Sequence, residues 1–217
     1  MKKIFLSVLA IAAMATTANA QLWFGGSVNF SHSGGTMKTK DSDVDKPKNN
    51  SFTLAPMVGF ALNDQLSIGG EVSLISSTLK SKADFTGDDE KASSLAISVT
   101  PFARYTFVEF NKLGVLAEAG LPIRSITSKQ ETNGNTVKGN PVSYFGLYVK
   151  PVLFYNLNDH FQLECGLDFM SLNAGHWVTK DKDDSDKKET TNSFNFGANT
   201  NNVVTVGNIT IGFIYKL

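Results

Sequence analysis

Residues 145–169 read FGLYVKPVLFYNLNDHFQLECGLDF, and the period of this stretch decides the fold. Phe145, Leu147, Val149, Pro151, Leu153, Tyr155 and Leu157 occupy every second position up to Asn158-Asp159-His160. Phe161, Leu163, Cys165, Leu167 and Phe169 then resume the alternation. A period of two belongs to a strand with two unlike faces, and Asn and Asp tolerate the backbone of a tight turn. The stretch reads as a β-hairpin.

The same unit occurs twice upstream. Residues 56–64 (PMVGFALND) and 101–111 (PFARYTFVEFN) match 151–159 (PVLFYNLND) in a proline, an aromatic four residues later and a closing turn Asn. Proline lacks the N–H a ladder needs, so its recurrence predicts a repeated bulge or kink at Pro56, Pro101 and Pro151. Alternation over residues 22–30, 52–62, 66–74, 95–107, 113–123 and 203–217 supplies the remaining strands, eight in all. Each is close to the roughly 9–11 residues a tilted membrane strand needs.

The connections alternate in length. Asn63-Asp64-Gln65, Phe110-Asn111-Lys112 and Asn158-Asp159-His160 are tight turns, whereas 33–51, 80–94, 125–141 and 175–202 read as long charged loops. Short turns at one end and long loops at the other are the asymmetry of an eight-stranded antiparallel up-and-down transmembrane β-barrel, short side periplasmic.

Alternation alone leaves open whether the apolar face points outward to lipid or inward around a ligand, as in a soluble lipocalin-like carrier. Two features favour outward. Phe24, Phe60, Tyr105, Phe107, Tyr155, Phe161, Phe213 and Tyr215 share the apolar face near the short turns, where an aromatic girdle belongs. The other face carries small residues and a few opposite charges, which suits the narrow bore of an eight-stranded barrel. Centring the turns on Asn111 and Asp159 sets Arg104 opposite Glu118 and Lys150 opposite Asp168, with Glu71 and Glu164 on neighbouring strands. These six are expected to form one ion-paired, structural lumen network, because unpaired charges there would be costly.

The first twenty residues have their own logic. Lys2 and Lys3 precede an apolar run, and Ala18-Asn19-Ala20 supplies small residues for cleavage before Gln21. Residues 1–20 are thus expected to be a cleaved Sec-type signal peptide and 21–217 one β-barrel domain. Lysine plus arginine balance aspartate plus glutamate at 20 each, with no basic face, which argues against a nucleic-acid partner. The single Cys165 excludes an internal disulfide framework.

Signal, hairpins and an aromatic-ended final strand (NITIGFIYKL, 208–217) resemble the Bacteroidetes-type outer membrane protein β-barrel domain family, and the architecture is similar to small OmpX- and OmpA-like barrels. The resemblance spans 21–217 and is carried most specifically by PMVGFALND, PFARYTF, YVKPVLFYNLND and the final strand. It implies a location in the bacterial outer membrane, contact with its lipid and lipopolysaccharide, and insertion by the barrel-assembly machinery. Such strands usually end in Phe; this one ends in Leu217, leaving Phe213 and Tyr215 as its aromatic signal.

Catalysis would need a Ser, a His and an acid converging at one depth. His32, His160 and His176 fall at a strand end, in a turn and at the start of a loop, so no catalytic site is expected. The acidic stretches 41–45 and 181–186 lack the Gly and terminal Glu of a calcium loop, so neither a metal nor a cofactor is expected. The sequence therefore points to a structural or surface-interaction barrel of the outer membrane. A narrow porin-like channel and a soluble carrier stand as alternatives, and any surface ligand is unspecified.

Overall fold

The structure is a computed structural model that describes residues 21–38, 43–82, 89–168, 170–182, 184, 186–198 and 209–217. The signal segment 1–20, Phe169 and residues 203–208 of the expected last strand lie outside the described residues.

Among the described residues, twelve strands make up one antiparallel sheet: β1 (Gln21–Lys38), β2 (Asp43–Ala61), β3 (Leu66–Lys82), β4 (Asp89–Phe110), β5 (Leu113–Gly120), β6 (Ile123–Thr132), β7 (Asn135–Lys138), β8 (Val142–Asn156), β9 (Phe161–Leu167), β10 (Met170–Lys180), β11 (Lys188–Ala198) and β12 (Ile209–Lys216). They form eight barrel staves. Strand five is split into β5 and β6 at Leu121-Pro122, strand seven into β9 and β10 near Asp168, and strand eight is described in its two ends, β11 and β12. Closure comes where β12 pairs with β1 (Phe24 opposite Tyr215, Ser27 opposite Gly212), so the sheet returns on itself. A closed ladder removes exposed edges, the condition a β-structure must meet in hydrocarbon.

The three expected turns are present, and each Asn has a physical role. The Asn63 side-chain oxygen accepts from the amides of Gln65 and Leu66 at 2.9 and 2.7 Å. Asn158 repeats this with His160 and Phe161 at 2.9 and 2.8 Å. Asn111 instead takes up the left-handed backbone, with φ of 54°. Leu217 donates its amide to Leu22 at 3.0 Å, so both ends of the described barrel sit at the turn end.

Two expectations are corrected. The segments 33–51, 80–94, 125–141 and 175–202 are in large part not loops: β1–β2, β3–β4, β6–β7 and β10–β11 carry their ladders far into them. Once two strands are in register, polar Ser, Thr and Lys can extend the ladder in water with no burial to mark them as strand. The β6–β7 hairpin turns on Asn133-Gly134, both at positive φ (52° and 79°), the conformation that a two-residue hairpin favours. The repeated proline bulge is also absent. Pro56 and Pro101 sit in ladders whose register is unchanged on either side. Only beside Pro151 does the register move, because β8 passes from β9 to β10 across Asp168. Bulges fall instead between Ser33 and Gly35 and between Thr106 and Val108.

The apolar face points outward. Val58, Val72, Ile97, Val99 and Leu153 are exposed, while Ala55, Ser98, Thr100, Phe102 and Val152 on the alternate positions are buried. That polarity is the reverse of a soluble carrier.

Candidate functional site: the barrel lumen

The inward positions build two packed layers at the turn-end half. Trp23 on β1, Phe102 on β4 and Ile214 on β12 cluster with Met57, and Leu116, Val152 and Phe154 form a second group. Four of the large inward rings fit in so narrow a bore because each faces a glycine. A Cβ at Gly59 would meet Trp23, one at Gly69 would meet Phe102, one at Gly114 would meet Phe154, and one at Gly120 would meet Tyr148. All four are direct cross-strand partners. The expectation of small and charged lumen residues therefore omitted the aromatics. Their parity is visible in the sequence, since Trp23 lies between Leu22 and Phe24, and Phe102 between Pro101 and Ala103.

The charge cluster lies against these groups, with Arg104 beside Trp23 and Phe102. Arg104 and Glu118 are register partners on β4 and β5. The Arg104 Nε donates to Glu118 Oε2 at 2.8 Å and Nη2 lies 2.6 Å from the same oxygen. Its Nη1 reaches Glu164 on β9 at 3.0 Å, with two strands between them. The guanidinium carbon also lies 4.9 and 4.8 Å from the ring centroids of Trp23 and Phe102. Lys150 stands 3.0 Å from Asp168 and 3.8 Å from Glu118. Thr210 donates to Asp168 at 2.7 Å, Tyr148 to Glu118 at 2.7 Å, and Gln162 to Glu164 at 2.9 Å. Both buried carboxylates thus have a cation and a neutral donor, which is what makes a desolvated ion pair tolerable.

Five of the six anticipated residues are joined in this way. Glu71 is not: among the described residues it forms no ion pair within 4.0 Å, although it lines the same space as Arg104, Glu118 and Lys150. Tyr148, Gln162, Thr210 and Met57, which complete the cluster, were not among the anticipated residues; only their inward parity marks them.

Open space lies on both sides of the cluster. A cavity of about 260 Å³ opens towards the turns, lined by Asn63, Gln65, Glu109, Gln162 and Lys216 among others. One of about 500 Å³ opens towards the long hairpins, lined by hydroxyl, amide and aromatic side chains. Between them a space of about 30 Å³ is bounded by Arg104, Glu118, Lys150 and Glu164.

Outside, the eight anticipated girdle aromatics lie on the lipid-side face near the turns. Phe24, Tyr105, Phe107, Tyr155, Phe161 and Phe213 are exposed, and Phe60 and Tyr215 half-buried. Phe161 and Tyr215 have ring centroids 5.0 Å apart, and Tyr105 and Phe107 meet edge-on at 5.3 Å. The three histidines stay apart: His32 lies 2.7 Å from Asn50, His176 2.7 Å from Asn192, and His160 2.9 Å from the Lys216 carbonyl. Among the described residues no group of three or more His, Cys, Asp or Glu is placed to hold a metal.

A closed eight-stranded antiparallel barrel with an apolar outer face and a bore of mixed apolar and charged side chains defines an integral outer-membrane β-barrel protein. The model of the outer membrane protein beta-barrel domain matches residues 4–215, and the chain belongs to that family. No curated protein matches it. Solved structures similar to it include Ail, the attachment invasion locus protein of Yersinia pestis (11% identity, 92% of this chain and 99% of that chain, TM-score 0.38). A major outer membrane protein of Thermus thermophilus matches at 13% identity over 92% of this chain and 100% of that chain, with a TM-score of 0.43. Neisserial surface protein A matches at 12% over 91% and 92%, with a TM-score of 0.29.

Proposed function

We propose that this chain is a non-catalytic outer-membrane barrel with a structural or surface-interaction role, its lumen held shut by the Arg104 cluster. The carrying observation is Arg104 spanning from Glu118 to Glu164 while Lys150 spans from Glu118 to Asp168. The remaining space of about 30 Å³ is room for a water or two and not for a solute. In this reading residues 1–20 are the export signal, 21–217 the barrel, and the assembly machinery recognises the aromatic β12. The outward aromatics anchor the barrel at the lipid boundary, and the polar hairpins meet lipopolysaccharide or other envelope molecules.

A narrow channel is the second reading, favoured by one observation: the cavities at both ends share residues with the central space, Arg104 on one side and Lys150 on the other. Planar-bilayer recording separates the two. Purified wild-type protein is expected to give no steady conductance, and a steady single-channel current would overturn the closed-lumen reading. N-terminal sequencing of the outer-membrane form is expected to begin at Gln21; retention of Met1 would refute the cleaved signal.

A further inference from the structure

Two charged residues on the wall of the hairpin-side cavity stand outside the ion-paired cluster formed among the described residues. Arg124 on β6 rests with its guanidinium carbon 5.5 Å from the ring centroid of Tyr144, and its Nε is buried with no hydrogen-bond partner. Glu71 on β3 lines the same cavity. Among the described residues neither forms an ion pair within 4.0 Å, whereas Lys150, the other cation on this wall, is held by Asp168 and Glu118. Arg104 is equally committed below.

Their placement is fixed by the ladder. Arg124 is opposite Ser98 and Glu71 opposite Thr100, so they flank β4 on either side, two residues apart in height. Two interstrand spacings and two strand rises put their Cα atoms roughly 12 Å apart. One guanidinium, one carboxylate and a small molecule between them fill such a span. The surrounding wall is divided in the same way: Ser27, Asn29, Thr53 and Ser73 offer hydroxyls and an amide, and Tyr148 and Trp177 offer aromatic faces. The cavity volume, about 500 Å³, lies in the range of small-molecule sites.

We propose that this cavity binds a small zwitterion of amino-acid to dipeptide size, its carboxylate on Arg124 and its ammonium on Glu71. A simple anion would satisfy Arg124 while facing the Glu71 carboxylate, and a simple cation would face the guanidinium. A molecule carrying both charges answers both residues. The site takes its floor from the closed lumen proposed above. Conductance tests that floor and ligand titration tests the site, so the two fail separately.

Equilibrium dialysis of the detergent-solubilised barrel against labelled glycylglycine is the test. Saturable binding of one molecule per chain is expected, with propionate and propylamine each competing at least about tenfold more weakly than unlabelled glycylglycine. R124Q and E71Q are each expected to weaken binding at least about tenfold, and Asp64→Asn, at the turn end, to leave it unchanged. Absence of saturable binding overturns the proposal, as does binding that survives in both folded variants. So does propionate competing as well as glycylglycine, which marks an anion site alone. The competition series uses wild-type protein and decides the matter even if a variant fails to fold.

Discussion

At the scale of single residues, Arg104 is the group on which the lumen converges, touching carboxylates from two strands and rings from two others. Removing it leaves Glu118 and Glu164 buried without their cation. Arg104→Ala is therefore expected to cost about 3–5 kcal/mol, measured by urea unfolding in detergent micelles. In a double-mutant cycle with Glu118→Ala, a coupling of about 0.5–3 kcal/mol is expected, and strict additivity would remove the pair from the account. Adjacent glycines give a sharper contrast. A Cβ at Gly69 would run into Phe102, whereas at Gly70 it would meet nothing within 4 Å. Gly69→Val is expected to destabilise by about 1–3 kcal/mol through overpacking, and Gly70→Val to stay within about 0.5 kcal/mol of wild type. Equal effects would mean that the inward aromatics do not pack as described. This layer is only half legible in the sequence. Arg104 and Glu118 can be paired by counting from Asn111, because a tight turn fixes register. Trp23 and Phe102 are hidden by chemistry: a reading that assigns greasy residues to lipid passes over those the bore itself must bury.

At the scale of the element, what the sequence shows depends on what each segment buries. Where one face meets lipid and the other the bore, as from Leu95 to Phe107, the period of two is unmistakable and locates the strand. Where both faces meet water, as in residues 129–138, nothing forces alternation, and the ladder continues on backbone hydrogen bonds alone. Asn133-Gly134 is the signal available there, a dipeptide suited to positive φ at both positions. The prolines mislead for the opposite reason, since a missing N–H removes one rung without inserting a residue, and register at Pro56 and Pro101 is kept. Because a β-branched residue is strained at φ of 79°, Gly134→Val is expected to destabilise the β6–β7 hairpin by about 1 kcal/mol or more. Amide exchange over residues 129–138 should then accelerate at least about fivefold while β5 is unchanged. Uniform acceleration would mean that the hairpin is not a separate unit.

At the scale of the whole molecule, the exposed apolar band and the inward-facing side chains are one arrangement seen from two sides. A charge placed on the band has to enter hydrocarbon, so Val99→Arg is expected to cost about 2–4 kcal/mol in vesicles. Val137→Arg, on β7 of the water-exposed hairpin, should change stability by less than about 0.5 kcal/mol. The membrane topology rests on this contrast, and it can be read position by position. Nitroxides attached to single cysteines at Val58, Val99 and Leu153, and at the inward Ser98, in a Cys165→Ala background, report access to lipid-soluble oxygen and to a water-soluble nickel chelate. High oxygen and low nickel access are expected at the first three, and low access to both reagents at Ser98. Strong nickel access at Val58, Val99 and Leu153 would contradict this topology.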